Sequence, residues 1–189
     1  SDLTANKIIN NSSSRYIQID LEELNIQKNY YDLIFSNFFV HLTSNFENLI
    51  KKINLSLKNN GLFVATIPDT DCFNELIEAM IKADLELYNG VYQRVNPTIK
   101  ISDIIGILKI FDFDIPTINS ETIVIEYSRF EKLLNDIRCL NLTYCYQDKK
   151  KKFENKKYFE FVKNFYKKSN RSNSYNLNVK INVISAWKK

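Results

Sequence analysis

The stretch over residues 30–70 constrains the fold more than any other part of this chain. It opens with aromatic and branched residues over 31–35, which predict a strand buried on both faces of a parallel sheet. Apolar residues then recur at helical spacing over 46–57, and Gly61 is expected to end that helix because glycine readily adopts the left-handed backbone. A second apolar run over 62–67 predicts another strand. Strand, helix and strand form a βαβ unit, so the chain is predicted to be an α/β protein.

The rest of the chain continues this alternation of helices and strands. Ser102 is expected to cap one helix, and residues 128–131 form a capping-box sequence that begins another. The predicted elements are, in order, a helix over 71–87, a lid loop over 88–100, a helix over 102–111, a strand over 122–127, a helix from 128, a basic and aromatic helical insertion within 145–175, and a strand over 177–187 with one face covered.

Composition limits the class of protein. A chain of 189 residues with 44% hydrophobic content suits about one domain. No apolar run approaches the roughly 20 residues of a membrane span, and no signal-peptide pattern is present, so we expect a soluble intracellular protein. Cys72, Cys139 and Cys145 show no paired spacing, which argues against a disulfide framework or a metal site.

The net charge of +4 is concentrated in one lysine-rich segment that also holds many aromatic residues. Such a segment fits nucleic acid or an acidic carrier protein. However, its aromatic residues recur at helical intervals, which favours a core helix with solvated lysines, and no nucleic-acid partner is predicted. The residues in question are Lys149–Lys152, Phe153, Lys156, Lys157, Tyr158, Phe159, Phe161, Lys163, Phe165, Tyr166, Lys167, Lys168 and Arg171.

Two segments of the βαβ unit carry a resemblance to a known family. YDLIFSNFFVHL, followed by a helix and then LKNNGLFVATIPDT, is similar to the second half of class I S-adenosylmethionine-dependent methyltransferases. Within them the chain resembles the branch of the malonyl-carrier-protein methyltransferases of biotin synthesis and the respiratory complex I assembly factors described as protein-arginine hydroxylases. The resemblance implies a partial Rossmann-like fold, a central and mostly parallel sheet flanked by helices, with S-adenosylmethionine as cofactor.

Later segments resemble the region that distinguishes this branch. They are DIIGILKIFDF, IVIEY and LLNDIRCLNLTY, while QRVNPT resembles a segment near the branch's active site and the final AWK resembles its closing GWK. Four residues depart from the pattern: Ile105, Asp112 and Asn141 stand for glycines, and Tyr144 stands for an asparagine.

The resemblance also implies cofactor-binding residues. Asp20 ends a short predicted strand, and carboxylates at the carboxyl ends of parallel strands lie where open sheets bind ligands. By the resemblance, Asp2 would hold the cofactor ribose, Asp20 with Leu21 would lie near the adenine, and Ser36 and Asn37 would face the methionine part.

One part of the family pattern is missing from this sequence. The glycine-rich turn that follows the family's first strand has no counterpart, since the chain's glycines are Gly61, Gly90 and Gly106. We therefore expect the chain to be the C-terminal two-thirds of one methyltransferase-like domain. An apolar strand edge would be exposed, inviting a partner chain that completes the sheet.

Two residues are candidates for the chemistry of the site. His41, the only histidine, matches the histidine of the family's LHW and is predicted either to act as a base or orient a substrate, or to pack at a strand end. Arg94 is predicted either to clamp a carboxylate or phosphate, or to be solvated. One histidine without a serine elbow argues against a hydrolase triad, and it excludes a two-histidine iron site.

Three functions remain open from the sequence. The first is methyl transfer to a small-molecule, carrier-protein or protein acceptor. The second is a complex I assembly factor that modifies an arginine of a respiratory subunit. The third is a non-enzymatic remnant or interaction module. The expected location is cytoplasmic in a bacterium, or the mitochondrial matrix in a eukaryote.

Overall fold

The computed structural model describes residues 27–140, 142–144, 154–169 and 174–189. In chain order its elements are β1 Tyr31–Asn37, a short 3₁₀ helix Val40–Leu42, α1 Phe46–Ser56, β2 Leu57–Pro68, α2 Asn74–Tyr88, α3 Ile101–Ile110, β3 Thr117–Tyr127, α4 Phe130–Cys139, α5 Lys156–Ser169 and β4 Tyr175–Trp187. None of the described helices has the length and apolar character needed to cross a membrane.

The four described strands form one mixed sheet in the order β1-β2-β4-β3. β1 and β2 are parallel, and β4 is antiparallel to both β2 and β3. Three strands therefore run in one direction and β4 runs against them. The predicted α/β class, with its parallel βαβ unit, is confirmed.

Both faces of the sheet carry packed helices. One apolar cluster joins α1 and α3 to the sheet through residues such as Ile50, Ile104 and Ile184, and the other joins α2, α4 and α5 to it through residues such as Leu76 and Val179. Residues an odd number apart on a strand face opposite sides, so Val179 and Ile184 of β4 belong to opposite layers. The prediction that β4 has only one covered face is therefore wrong.

The strand β1 is less buried than the sequence predicts. Ile34 packs against the α1 side of the sheet, but Leu33 and Phe35 on the opposite side are 55% and 63% exposed. The prediction of burial on both faces is wrong because no element of the described residues covers that side. β1 pairs only with β2 in the described sheet, so it is an edge strand there.

Gly61 has a different role from the predicted one. The helix ends at Ser56 and the strand follows directly, while the left-handed backbone belongs to Asn60, with a φ of 62°. Gly61 lies inside β2, where a Cβ atom would stand 2.8 Å from the carbonyl oxygen of Lys58. Glycine is needed here for close packing and not to end the helix.

The predicted helix caps are also wrong. Ser102 lies within the first turn of α3, whose N-cap is Lys100, and its hydroxyl donates to Asp103. The N-cap of α4 is Arg129, without a side-chain capping bond, so residues 128–131 form no capping box. Side-chain caps are instead observed at Asn45 and Asn155, which accept from the backbone N–H of the third residue of α1 and of α5, respectively, each at 2.9 Å.

Other predicted elements are confirmed with shifted ends. The loop after α2 contains no helix or strand beyond a single bridge between Val95 and Thr143, and β3 begins five residues before its predicted start. In α5, Tyr158, Val162 and Tyr166 are buried in the second cluster. The prediction that its aromatic residues form a core face is confirmed.

Candidate functional site

A cavity of about 200 Å³ lies beyond the carboxyl ends of the parallel strands. It is bounded by the 3₁₀ helix after β1, the end of β2, one face of α2 and the loop over residues 91–98. This is the edge at which open α/β sheets bind ligands. The lining residues in the described part of the chain are His41, Pro68, Thr70, Cys72, Phe73, Ile77, Met80, Ile81, Val91, Tyr92, Gln93, Arg94, Val95, Asn96, Pro97, Thr98 and Leu142.

His41 is the most unusual residue of this cavity. It is only 2% exposed, and neither Nδ1 nor Nε2 has a hydrogen-bond partner among the described residues. Its ring meets Phe38 edge to face, with centroids 6.2 Å apart. Burial lowers its pKa from 6.5 to about 4, so the imidazole is neutral at pH 7, with one donor and one acceptor nitrogen. It is better suited to orient a ligand than to take a proton from it.

The chain after β1 holds His41 in place through backbone bonds. Phe38 adopts a positive φ of 50°, and its N–H donates to both the carbonyl oxygen and the hydroxyl of Thr66, at 3.0 and 3.1 Å. The Thr43 hydroxyl then accepts from the N–H of Asn45, the residue that caps α1. The 3₁₀ helix is therefore fixed between β2 on one side and α1 on the other.

Ser36 and Asn37 end β1, as predicted. The Oγ atom of Ser36 is buried without a hydrogen-bond partner among the described residues. The side-chain oxygen of Asn37 accepts a hydrogen bond from the Thr66 hydroxyl. An unsatisfied buried hydroxyl at the carboxyl end of a parallel strand fits a polar ligand there, which is compatible with the predicted cofactor.

Arg94 is neither solvated nor free. Its Nε and Nη2 atoms donate to the two oxygens of Asp84, and Nη1 donates to Glu154. The guanidinium also lies over Tyr158, with 4.5 Å from Cζ to the ring centroid. Burial acts to lower the pKa of Arg94, but the hydrogen bonds to both carboxylates outweigh it and raise the pKa. The predicted clamp on a ligand stays a prediction, and these two carboxylates already occupy the guanidinium donors that would form it.

Two further hydrogen bonds from backbone N–H groups help to anchor the loop that covers the cavity. The N–H of Tyr92 donates to Asp84 at 3.1 Å, and the N–H of Asn96 donates to the carbonyl oxygen of Leu142 at 3.3 Å. Asp84 lies on α2, so the loop is attached to that helix at two successive points, Tyr92 and Arg94. The predicted lid function of this loop is not tested by these contacts.

Cys72 also lines the cavity, but its chemistry is limited. Burial raises the pKa of its thiol to about 12, so it is protonated at neutral pH and a poor nucleophile. Among the described residues, no group of three or more His, Cys, Asp or Glu side chains is placed to hold a metal ion.

Comparison with known proteins shows which families and relatives this chain is similar to. The family described as "Methyltransferase domain" matches residues 2–65. A mitochondrial arginine-hydroxylase of Dictyostelium discoideum is 33% identical over 107 residues, which cover 57% of this chain and 24% of that protein. A malonyl-[acyl-carrier protein] O-methyltransferase of Nitrosospira multiformis is 26% identical over 129 residues, covering 68% of this chain and 40% of that protein.

These findings support the predicted resemblance of this chain to the class I methyltransferase branch. The chain spans about a quarter to a half of the length of the curated relatives it matches. A solved structure from Bacillus halodurans, described as a candidate methyltransferase, shares the fold with a TM-score of 0.59 at 13% identity, covering 92% of this chain and 71% of that one. The methyltransferase-like fold predicted from the sequence is thus confirmed.

Three predicted cofactor-binding residues lie outside the described part of this methyltransferase-like chain. They are Asp2, Asp20 and Leu21. The described site brings together His41 and Arg94 as lining residues of one cavity, with Ser36 and Asn37 at the adjacent end of β1. Their roles toward a cofactor or substrate stay predictions.

Sequence reasoning missed the two acidic residues that bind Arg94. Asp84 had a detectable signal, because it follows Leu76 and Met80 at intervals of four residues and therefore lies near the apolar stripe of α2. A charged residue in that position needs a buried partner. Glu154 carried no such signal, since it precedes α5 in a segment without periodicity.

Proposed function

We propose that this chain forms the acceptor-binding part of an S-adenosylmethionine-dependent methyltransferase-type domain. The observation that carries the proposal is the cavity at the carboxyl ends of the parallel strands, with the buried and unpartnered His41 in its wall. The match of residues 2–65 to the methyltransferase family supports the reaction class, and so does the carrier-protein methyltransferase among the relatives.

In this proposal each predicted site residue has one role. When bound, S-adenosylmethionine supplies an activated methyl group on its sulfonium. Ser36 and Asn37 would contact its methionine part, while Asp2 and Asp20, with Leu21, would hold the ribose and adenine. Within the cavity, a neutral His41 would orient the acceptor through hydrogen bonds, and the loop over residues 91–98 would exclude water. Methyl transfer depends strongly on proximity and alignment, so positioning residues suffice for much of the rate.

Calorimetric titration with S-adenosylmethionine and with its demethylated product tests this proposal. The titration compares this chain with a form extended upstream, if the gene encodes one. We expect saturable binding, with Asp20→Ala weakening it by roughly tenfold or more through the lost hydrogen bonds. Asp32→Ala is the matched control, because Asp32 is an exposed residue of β1 paired with Lys58.

The outcomes separate the parts of the proposal. Equal cofactor affinity in the wild type and in Asp20→Ala removes Asp20 from the site. No binding by either form contradicts the cofactor proposal and favours a non-enzymatic interaction module.

A second candidate is modification of a protein arginine. The match to arginine-hydroxylases, at 33% identity in one case, is the observation that favours it. The partner would then be a respiratory subunit, and the location mitochondrial. Saturable binding of an arginine-containing peptide at the His41 cavity, absent for the same peptide with lysine, would support this candidate.

A further inference from the structure

The strand β3 lies at one boundary of the described sheet. In that sheet it pairs with β4 alone, and the pairing runs from Thr117 to Tyr127 without a shift in register. An edge strand turns every second N–H and C=O group outward, so β3 presents a row of backbone donors and acceptors that no described strand binds. Its 11 residues exceed the about five or six that are typical of a strand. The row is therefore long enough to bind a further strand.

The side chains of β3 are also unusually exposed for a strand. Ile123, Val124 and Ile125 form a consecutive apolar run, and they are 45%, 60% and 36% exposed. Ile123 and Ile125 pair with Val179 and Leu177 of β4, which are buried in the apolar cluster beneath α2, α4 and α5. The apolar layer of that cluster thus continues to the edge of the sheet, where it meets solvent.

The usual features that keep an exposed edge from pairing are missing from this strand. Residues 117–127 contain no lysine, arginine or proline, and the unbroken register with β4 leaves no place for a bulge. The charged residues of the strand are Glu121 and Glu126, one on each side of the apolar run. A long, regular edge with an apolar centre is a template for the addition of a strand.

The two glutamates indicate which strand fits this edge. In an antiparallel pair formed by two copies about a twofold axis, opposite residues lie on the same face, so an odd-numbered residue always meets an odd-numbered one. Glu121 and Glu126 therefore cannot face each other in such a pair. A register with Val124 opposite itself places Ile123 against Ile125 of the second copy. Apolar residues then meet apolar residues, and neither glutamate meets a carboxylate.

We propose that β3 pairs antiparallel with β3 of a second copy of this chain, with Val124 on the twofold axis. This pairing uses the same edge in both copies, so the assembly closes at the dimer. A strand pair buries less surface than the roughly 1,200–2,000 Å² of a stable interface, so we expect a weak dimer with a Kd of roughly 10 µM or above. The proposal concerns assembly and goes beyond the proposed methyl transfer.

Disulfide trapping tests both the pairing and its register. Val124→Cys, in a background of Cys139→Ser and Cys145→Ser, would place two thiols opposite each other, with Cα atoms about 4.5–5.5 Å apart. Thr122→Cys is the register control, because its two copies would be roughly 14 Å apart, too far for a disulfide. Ile110→Cys is the control for exposure, since Ile110 lies on α3 and is 66% exposed. We expect Val124→Cys to form the cross-linked dimer at least about tenfold faster than either control.

Sedimentation velocity measures the association without a cross-link. We expect a reversible, concentration-dependent equilibrium between monomer and dimer for the unaltered chain. Val124→Lys should weaken the dimer at least about tenfold, because two lysines would face each other across the axis. Ile110→Lys is the matched control and should associate like the wild type. Both positions are exposed, so the circular dichroism spectrum of each variant should match that of the wild type.

Three results would overturn the proposal. The first is a chain that stays monomeric at about 1 mM, which would leave the edge to a strand of another protein. The second is Val124→Cys cross-linking no faster than Thr122→Cys or Ile110→Cys. The third is assembly beyond the dimer, which would indicate head-to-tail pairing of β3 with β1.

Discussion

The buried pair between Asp84 and Arg94 gives the sharpest test of how this site is held together. Their side chains are 0% and 17% exposed. In Asp84→Asn the shape is kept but the charge is lost, and Arg94 retains Glu154 as its remaining ion partner. Removing one member of a buried pair costs about 3–5 kcal/mol, and because one carboxylate remains, we expect the lower end, about 3 kcal/mol. For a chain of this length that corresponds to a fall in Tm of roughly 6–12 °C.

Urea unfolding of the single and double variants measures this effect. Arg94→Met should cost about 3–5 kcal/mol, since it leaves two carboxylates in the site without their cation. Asp84→Asn combined with Arg94→Met should cost less than the sum of the single variants by at least about 1 kcal/mol, because the two side chains interact directly. Lys82→Met is the control: Lys82 pairs with Glu78 on the exposed face of α2, where such pairs contribute about 0–1 kcal/mol.

An additive double variant would refute the reasoning. It would mean that Arg94 and Asp84 do not stabilise each other in solution. A cost below about 1 kcal/mol for Asp84→Asn would show that the pair behaves like an exposed one.

Three further predictions concern other parts of the fold. Gly61→Ala should destabilise the chain by about 1–3 kcal/mol in urea unfolding, because its Cβ would meet a backbone carbonyl oxygen at 2.8 Å. Gly106→Ala, in α3 with open space around it, should instead stabilise by about 0.5–1 kcal/mol, and equal effects at both glycines would contradict the packing argument. Because burial lowers the pKa of His41 from 6.5 to about 4, only the unfolded chain protonates it between those values, so stability falls by about 3 kcal/mol as pH drops through this window. His41→Gln should flatten that part of the stability profile, and an unchanged slope would show that His41 is solvated. Cys72 should resist alkylation at pH 8 in the native chain while the exposed Cys139 reacts, as read by peptide mass spectrometry, and equal labelling would contradict the burial of Cys72.

Much of the fold follows from local sequence patterns. The βαβ unit was predictable because short unbroken apolar runs and apolar residues at helical spacing are easy to distinguish over residues 31–67. The buried aromatic face of α5 was predictable for the same reason. The failures lie at the ends of elements, where Asn60 and not Gly61 takes the left-handed backbone, and where Ser102 enters the helix that it was expected to cap. Several residues compete for such positions, and packing decides among them.

The candidate site was only partly predictable. His41 could be singled out because it is the only histidine and follows a predicted strand. The pairing of Arg94 could not, since its partners lie 10 and 60 residues away along the chain, and the position of Asp84 on its helix indicates only that it needs some partner. The exposure of Leu33 and Phe35 also depends on which neighbours cover β1, and a strand's own composition does not contain that information.

The position of β4 has a consequence for how the chain folds during synthesis. β4 is the last described strand in sequence, yet it lies between β2 and β3. Neither β2 nor β3 can pair with β4 until residues 175–187 have left the ribosome. Until then the nascent chain carries β2, which ends at Pro68, and β3, which ends at Tyr127, without the strand that joins them, which begins only at Tyr175. Late, long-range pairing of this kind is slow and prone to aggregation, so efficient folding in the cell should depend on chaperones that hold the incomplete sheet.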